Sequence, residues 1–155
     1  MEVYDVIIIG GGPAGLKCAE VVGQAGKRVM LLEKKGVFGD KLCAGGLTPK
    51  ARELLSLPDT LIEHTIVRAL VRSRRRQSIN LSPVPLLYTV NRLEMANYQA
   101  ARVRDLGVEI RMKSQVTEVG EDFIGLKDGT RYGYRFLVGA DGYSSLVRKY
   151  LKLSC

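Results

Sequence analysis

The sequence predicts an α/β fold, a parallel sheet extended by a small antiparallel β-meander. Three observations carry this. Val3 to Ile9 is a short apolar run rich in β-branched residues that ends in three glycines, as a buried parallel strand does. A stripe at helical spacing follows it, and a second apolar run, Arg28 to Glu33, comes next, giving the order strand, helix, strand. From Gln115 to Gly139 the pattern changes to short alternating runs, as antiparallel strands require. The 155 residues, 46% hydrophobic and 26% charged, suit one domain of ordinary size and exclude disorder, collagen and coiled coil.

The elements follow in order. Pro13 suits a first helical turn, Leu16, Ala19, Val22 and Ala25 form one apolar stripe, and Gly26 sits where a left-handed cap would fall. Residues 34–49 are glycine-rich and lack periodicity, so they are expected to be a loop, with Thr48 capping a helix over Pro49 to Leu57. Strands are expected at Ile66 to Val71, Ser78 to Leu81 and Leu86 to Val90, with a hairpin turn over Ser73 to Ser78 and a turn or edge at Pro83 and Pro85. Asn91 caps a second long helix, whose face is Leu93, Ala96, Ala100 and Val103 and which Gly107 closes. Val108 to Ile110 is a strand; the meander then runs Val116 to Val119, Phe123 to Lys127, a turn at Asp128-Gly129, and Arg131 onwards. Phe136 to Val138 is the last apolar strand and delivers the chain to Gly139-Ala140-Asp141-Gly142.

Gly10-Gly11-Gly12-Pro13-Ala14-Gly15 fits GxGxxG, and it has the context that gives the pattern meaning: a strand before it, a helix after it and an acid at the end of the next strand. Gly10 allows the tight turn, Gly12 admits a pyrophosphate to the backbone, and Gly15 lets helix and strand pack closely. The helix start offers free N–H groups and the positive end of its dipole. Glu33 is placed to accept from an adenosine ribose and disfavours a 2′-phosphate, so the ligand is FAD or NAD and not NADP. The motif thus specifies a Rossmann-like dinucleotide-binding domain.

Phe136 to Arg148, containing Gly139, Ala140, Asp141, Gly142, Ser145 and Arg148, resembles the second motif of the flavoproteins with two dinucleotide-binding domains, GADGxxSxVR, which lies beside FAD. Gly39-Asp-Lys41-Leu-Cys43-Ala44-Gly45-Gly46 resembles the KxCxGG segment of the geranylgeranyl reductase family, within the p-hydroxybenzoate hydroxylase-like superfamily. The resemblance implies FAD as cofactor, NADH or NADPH as electron donor, and hydride transfer from reduced flavin to an isoprenoid C=C bond. It places Cys43 to Gly46 at the isoalloxazine, Arg92 near the flavin, and Lys34 and the backbone at Val116 beside the adenine. Pro13 and Ala14 fall with the glycines of the first motif. Cys43 is read in two ways, as a catalytic residue lining the flavin edge or substrate channel, or as an inert small hydrophobe. The family usually has an Asp soon after the arginine, where this chain runs Arg92-Leu-Glu94-Met-Ala-Asn97. An aromatic monooxygenase or halogenase relative is the second reading, against which the Cys43 segment argues, and a non-catalytic dinucleotide-binding fragment is the third.

The resemblance spans Asp5 to Arg148, about the first half of a typical member. A GD-containing flavin motif and most of a substrate domain belong to the other half, so residues 1–155 are read as an FAD-binding domain that is a fragment. The net charge of +8 invites a polyanionic partner, but the basic residues are scattered apart from Arg72, Arg74, Arg75 and Arg76, and few aromatics accompany them. Nucleic acid is therefore not expected. A small-molecule or prenyl-lipid substrate is, with peripheral membrane contact in the latter case. No apolar run approaches the roughly 18 residues of a span, and the acidic N-terminus lacks the basic region of a signal peptide, so the cytoplasm is expected. Cys18, Cys43 and Cys155 are too few and too widely spaced for a disulfide framework or metal site, Cys18 reads as core packing, and His64, the single histidine, as structural or exposed.

Overall fold

The computed structural model describes residues 1–40, 43–72, 74 and 77–153. In chain order the elements are β1 (Glu2–Ile9), α1 (Pro13–Gln24), β2 (Val29–Leu32), β3 (Gly46–Leu47), α2 (Pro49–Leu55), β4 (His64–Ile66), β5 (Arg68–Arg72) and β6 (Gln77–Leu81). There follow β7 (Leu87–Thr89), α3 (Arg92–Asp105), β8 (Glu109–Arg111), β9 (Val116–Val119), β10 (Phe123–Leu126), β11 (Arg131–Gly139) and α4 (Leu146–Tyr150). They form two units, Met1–Phe38 with Ala96–Cys155, and Gly39–Met95.

The first unit is a six-stranded sheet in the order β8-β2-β1-β11-β10-β9. β8, β2, β1 and β11 run parallel, and β10 and β9 extend them antiparallel, which is the expected parallel sheet with its meander. The strand from Arg131 and the apolar run Phe136 to Val138 are one nine-residue strand, β11. β1 takes the centre because it is apolar on both faces: Ile7 and Ile8 are both 0% exposed. On one face Val6, Ile8 and Leu31 pack with Leu16 and Ala19 of α1, Ala100 and Val103 of α3, and Phe38. On the other, Ile7, Ile9, Met30 and Leu32 pack with Ile124, Tyr132 and Val147. Since β2 and β11 flank β1 on opposite sides and run parallel to it, the loops after all three leave at one end of the sheet. That end is the switch point of chain direction, where open α/β sheets place their ligands.

Capping follows the sequence. Asn91 Oδ1 accepts from the N–H groups of Leu93 and Glu94 at 3.0 and 3.3 Å, and Gly26 and Gly107 adopt φ of 68° and 74° just beyond α1 and α3. Both expected helix faces need correction. Ala25 is exposed and Glu20 is buried on α1, its charge met by Lys17 at 3.1 Å and by Arg102; on α3 Leu93 is exposed, and Met95 and Gln99 point inward. Phe136 also departs from expectation. It is 70% exposed although its register partner, Val6, is buried.

In the second unit β7 lies between β3 and β4, antiparallel to both. β3 falls within the expected loop 34–49, two paired residues being too few to show alternation in sequence. Thr48 Oγ1 accepts from Ala51 N at 3.2 Å and caps α2, which stops two residues short of Leu57 because Ser56 is left-handed at φ 51°. The strand expected over Ile66 to Val71 is two, β4 and β5, divided at Val67, whose carbonyl accepts from Ser82 N at 2.9 Å. β5 and β6 pair antiparallel as the hairpin reading requires; Ser73, Arg75 and Arg76 of its turn lie outside the described residues, as do Lys41 and Cys155. Among the described residues no helix is long and apolar enough to cross a membrane.

Candidate functional site

The turn after β1 and the turn after β11 are built against each other. Ala140 N donates to Ile9 O at 2.8 Å, and Gly10 N donates to Leu32 O at 2.8 Å, so the three strand ends are tied together by backbone alone. Gly10 has φ +108°, and a Cβ there would stand 2.3 Å from Ala140 O; one on Gly15 would stand 1.9 Å from Gly10 O and 3.3 Å from Ala140 Cβ. Both positions therefore require glycine. Gly12 differs, because its φ of −74° suits any residue and a Cβ would meet nothing within 4 Å. Space is open in front of the turn at the position where the motif needs a ligand to approach.

α1 begins at this turn with Pro13 at its first position and no side-chain cap. Its first-turn N–H groups, including those of Ala14 and Gly15, have no side-chain acceptor of the kind that ordinarily satisfies them. Glu33 leaves β2 toward the same turn, and its carboxylate accepts from Gly11 N at 2.7 Å and from Lys35 N at 2.9 Å. Gly11 is thus part of the site in a way that the motif did not indicate: its N–H orients the acid, and a Cβ would lie 2.3 Å from Phe38 Cε1. Gln99 is a second such residue, 3% exposed, donating through Nε2 to Pro13 O at 3.3 Å.

Beyond β11, Asp141 Oδ2 accepts from Leu146 N at 2.6 Å, while Oδ1 is buried without a hydrogen-bond partner. Ser145 caps α4 by accepting from Arg148 N at 3.0 Å, and Arg148 donates to Tyr143 O at 3.0 Å. A Cβ on Gly139 would press within 2.7 Å of Val147, and Gly142 is left-handed at φ +77° with open space around it. Lys34 lines a cavity of about 380 Å³ with Lys113, Ser114, Gln115, Leu126, Lys127 and Asp128, next in sequence to Val116, which pairs with Leu126. Asp128 is held below the ordinary carboxylate range by the backbone N–H of Thr130.

The structure thus assembles Gly10, Gly12, Pro13, Ala14, Gly15, Glu33, Gly139, Ala140, Asp141 and Gly142 at one end of the first unit, with Lys34 close in sequence. These residues fit a dinucleotide. An uncapped helix start behind an open glycine suits the phosphates, and a buried carboxylate oxygen with no partner suits a ligand hydroxyl.

Cys43, Ala44, Gly45, Gly46 and Arg92 belong to the second unit. Cys43 is an exposed free thiol, Gly45 has φ +72° with Val90 O 2.2 Å from its would-be Cβ, and Gly46 pairs with Thr89. Gly39, at φ +75°, is pressed against the backbone of Arg92 and Leu93, and Arg92 Nε is buried without a hydrogen-bond partner. Cys18 packs against the core, where burial pushes its thiol up. His64 is exposed, its Nδ1 3.3 Å from Thr89 Oγ1.

Comparison with known proteins agrees with this geometry. The model of the FAD binding domain family matches residues 3–155. Menaquinone reductase of Mycobacterium tuberculosis is 32% identical, the match covering 91% of this chain and 38% of that protein. Digeranylgeranylglycerophospholipid reductase of Methanosarcina acetivorans is 28% identical over 96% of this chain and 40% of that one. A 3-(3-hydroxy-phenyl)propionate/3-hydroxycinnamic acid hydroxylase of Mycobacterium sp. (strain JLS) is also 28% identical, over 97% and 30%. The chain thus spans well under half the length of these three relatives. Among solved structures, p-nitrophenol 4-monooxygenase of Pseudomonas putida superposes with a TM-score of 0.81 at 22% identity, covering 99% of this chain and 45% of that one.

Proposed function

Because the chain belongs to the FAD binding domain family, we propose that its glycine-lined site holds FAD and serves an oxidoreductase that saturates an isoprenoid C=C bond, with NADH or NADPH as the electron donor. When bound, FAD supplies the hydride chemistry, and the protein supplies binding and orientation. Ala14 and Gly15 N–H groups hold phosphate oxygens, and Glu33, oriented by Gly11 and Lys35, offers its remaining lone pairs to the ribose. Asp141 Oδ1 accepts from a hydroxyl of the ligand, because the other oxygen is already engaged by Leu146 N. Arg92 and the Cys43 to Gly46 segment are assigned to the flavin side by resemblance, with Cys43 bordering the ring or the substrate channel.

The observation that carries the FAD reading is the pair of turns after β1 and β11, where two glycines admit no Cβ and a third stands open. The isoprenoid reading is supported by the Cys43 to Gly46 segment and by the similarity to digeranylgeranylglycerophospholipid reductase. The hydroxylase relative and the monooxygenase fold supply the second reading, in which the same site serves reaction with O₂ on an aromatic substrate. The readings separate in one assay on the intact enzyme that carries this domain. Prenyl-lipid-dependent, oxygen-independent reoxidation of the reduced protein is expected; NAD(P)H oxidation that requires O₂ and an aromatic acid would replace the first reading with the second. A purified protein that neither carries nor takes up flavin would overturn both.

A further inference from the structure

Glu33 is held at every polar atom it has. Its N–H donates to Arg111 O at 2.9 Å and its carbonyl accepts from Ser114 N at 2.8 Å, while its carboxylate oxygens accept from Lys35 N and Gly11 N at 2.9 and 2.7 Å. The last of these contacts has a wall beside it. Phe38 is 4% exposed and belongs to the core that α1 and α3 share with β1 and β2. Phe38 Cε1, Phe38 Cδ1 and Glu33 Oε2 crowd one point, 2.3, 2.8 and 3.0 Å from where a Cβ on Gly11 would stand. Gly11 has no left-handed φ, so the ring and the carboxylate, and not its own backbone, explain why it carries no side chain. All of these contacts are made within the first unit.

We infer that Phe38 is the positioning residue for Glu33: its ring, seated where Gly11 leaves room, walls the carboxylate against the glycine turn and fixes the site for an adenosine ribose with a free 2′-hydroxyl. The inference rests on the FAD reading above and deepens it. A glutamate at a strand end can turn about its side-chain bonds toward water, and it must then be ordered when a ligand binds. Here the ordering is done on folding, because two backbone N–H groups set the oxygens and a buried ring closes the space into which they would turn. The same wall acts on ligands that the site refuses. A mobile acid can swing aside and admit a 2′-phosphate, whereas a walled acid keeps its charge in the path of the dianion, and like charges brought together weaken binding. The Gly11 N–H orients one oxygen; the ring bars the alternative rotamers.

The experiment is displacement of FAD from the intact protein by ADP-ribose and by 2′-phospho-ADP-ribose, read by flavin fluorescence, with a melt of each variant. The parent should take ADP-ribose about a hundredfold more tightly than its 2′-phosphate. Phe38→Leu, which keeps an aliphatic group in the core and removes the ring, should lower that ratio to about tenfold. Loss of packing alone would lower the melting temperature or weaken both ligands equally, and would leave the ratio at its parental value. In Glu33→Ala the ratio should be gone, and Phe38→Leu should change it no further. Gly11→Ala should weaken FAD about thirtyfold in the parent, where its Cβ meets the ring, and about threefold in Phe38→Leu, where Cε1 is gone. A parental ratio in Phe38→Leu, or an equal cost of Gly11→Ala in both backgrounds, overturns the inference. If Phe38→Leu does not fold, Gly11→Ala decides, since it displaces the ring and should lower the ratio as well; a ratio kept at the parental value overturns the inference there too. FAD binding without discrimination at the 2′ position leaves the FAD reading standing and overturns this inference, whereas a protein that takes neither FAD nor ADP-ribose overturns both.

Discussion

The carboxyl edge of the parallel sheet and the ring-and-charge network on the same sheet solve opposite problems. At the edge, Gly10, Gly12 and Gly15 remove side chains, the first turn of α1 has no side-chain cap, and Asp141 keeps a buried oxygen unpaired. In the network nothing comparable is left over. Tyr4, 1% exposed, donates to Glu109 Oε2 at 2.6 Å; Arg111 reaches Glu109 Oε1 at 2.6 Å and also the hydroxyl of Tyr132. Arg28 lies 4.5 Å over the Tyr4 ring, Arg111 4.8 Å over that of Tyr132, and the two rings meet edge to face at 6.1 Å. A site that must receive a ligand holds its hydrogen-bonding capacity in reserve, whereas one that only joins strands uses it up. Substitutions at the two places should therefore fail differently.

Gly10→Ala should be the most damaging change. Its Cβ would fall 2.3 Å from Ala140 O at a φ of +108°, so both strain and overlap act on backbone that cannot move without parting β1 from β11. A loss of about 3 kcal/mol or more in urea unfolding is expected, with flavin lost in consequence. Gly12→Leu separates the two effects. Nothing lies within 4 Å of the added carbon, so stability should stay within about 0.5 kcal/mol of the parent while flavin affinity falls about a hundredfold, the equivalent of two lost amide–phosphate hydrogen bonds. Titration of the apoprotein with FAD and a melt of the same sample would check both halves. Retained flavin would remove Gly12 from the phosphate path.

These two glycines also show what the sequence makes legible. Gly10, Gly26, Gly107, Thr48 and Asn91 each do a job set by their own backbone, and local spacing is enough to find such jobs. Glu33 was likewise recognisable from its place at the end of β2. Its orientation was not, because the Gly11 N–H that fixes it arrives from 22 residues away through a position the motif leaves free. The same holds for Gln99 against Pro13 and for Glu20 beneath Arg102, polar residues on faces that the apolar pattern alone marks as packed. Lys17, three residues before Glu20, was the available signal for that buried acid. Phe136 shows the converse, an apolar residue inside a strand pattern that is exposed, since periodicity gives a face and not what covers it.

Tyr4→Phe tests the network with a smaller change. The ring and its contacts remain, and the hydrogen bond to a carboxylate is lost, so a destabilisation of about 2 kcal/mol is expected. Flavin content should be unchanged, which is the reverse of the Gly12→Leu result. If Tyr4→Phe released flavin, the edge and the network would be coupled and the contrast between them would fail.

The smallest effect expected is also the one that identifies the network by its chemistry. Glu109 is held below the ordinary carboxylate range, first by the Tyr4 hydroxyl and then by Arg111, whereas burial and the adjacent Glu109 push the Tyr4 hydroxyl above its own. A carboxyl lowered on folding contributes stability that is present above its unfolded value, about pH 4.3, and is lost as pH falls through the folded one. A phenol raised on folding contributes stability that is present below about pH 10 and is lost as pH rises past it. The stability difference between the parent and Glu109→Gln should therefore be flat from about pH 6 to pH 9 and shrink below about pH 4. High salt should reduce it, because both Glu109 and Arg111 side chains are 38% exposed. Gly12→Leu, whose added carbon meets nothing within 4 Å, should follow the parent across the whole range; a pH-dependent gap between those two would mean that the new side chain disturbs the Glu33 carboxylate held by the neighbouring Gly11 N.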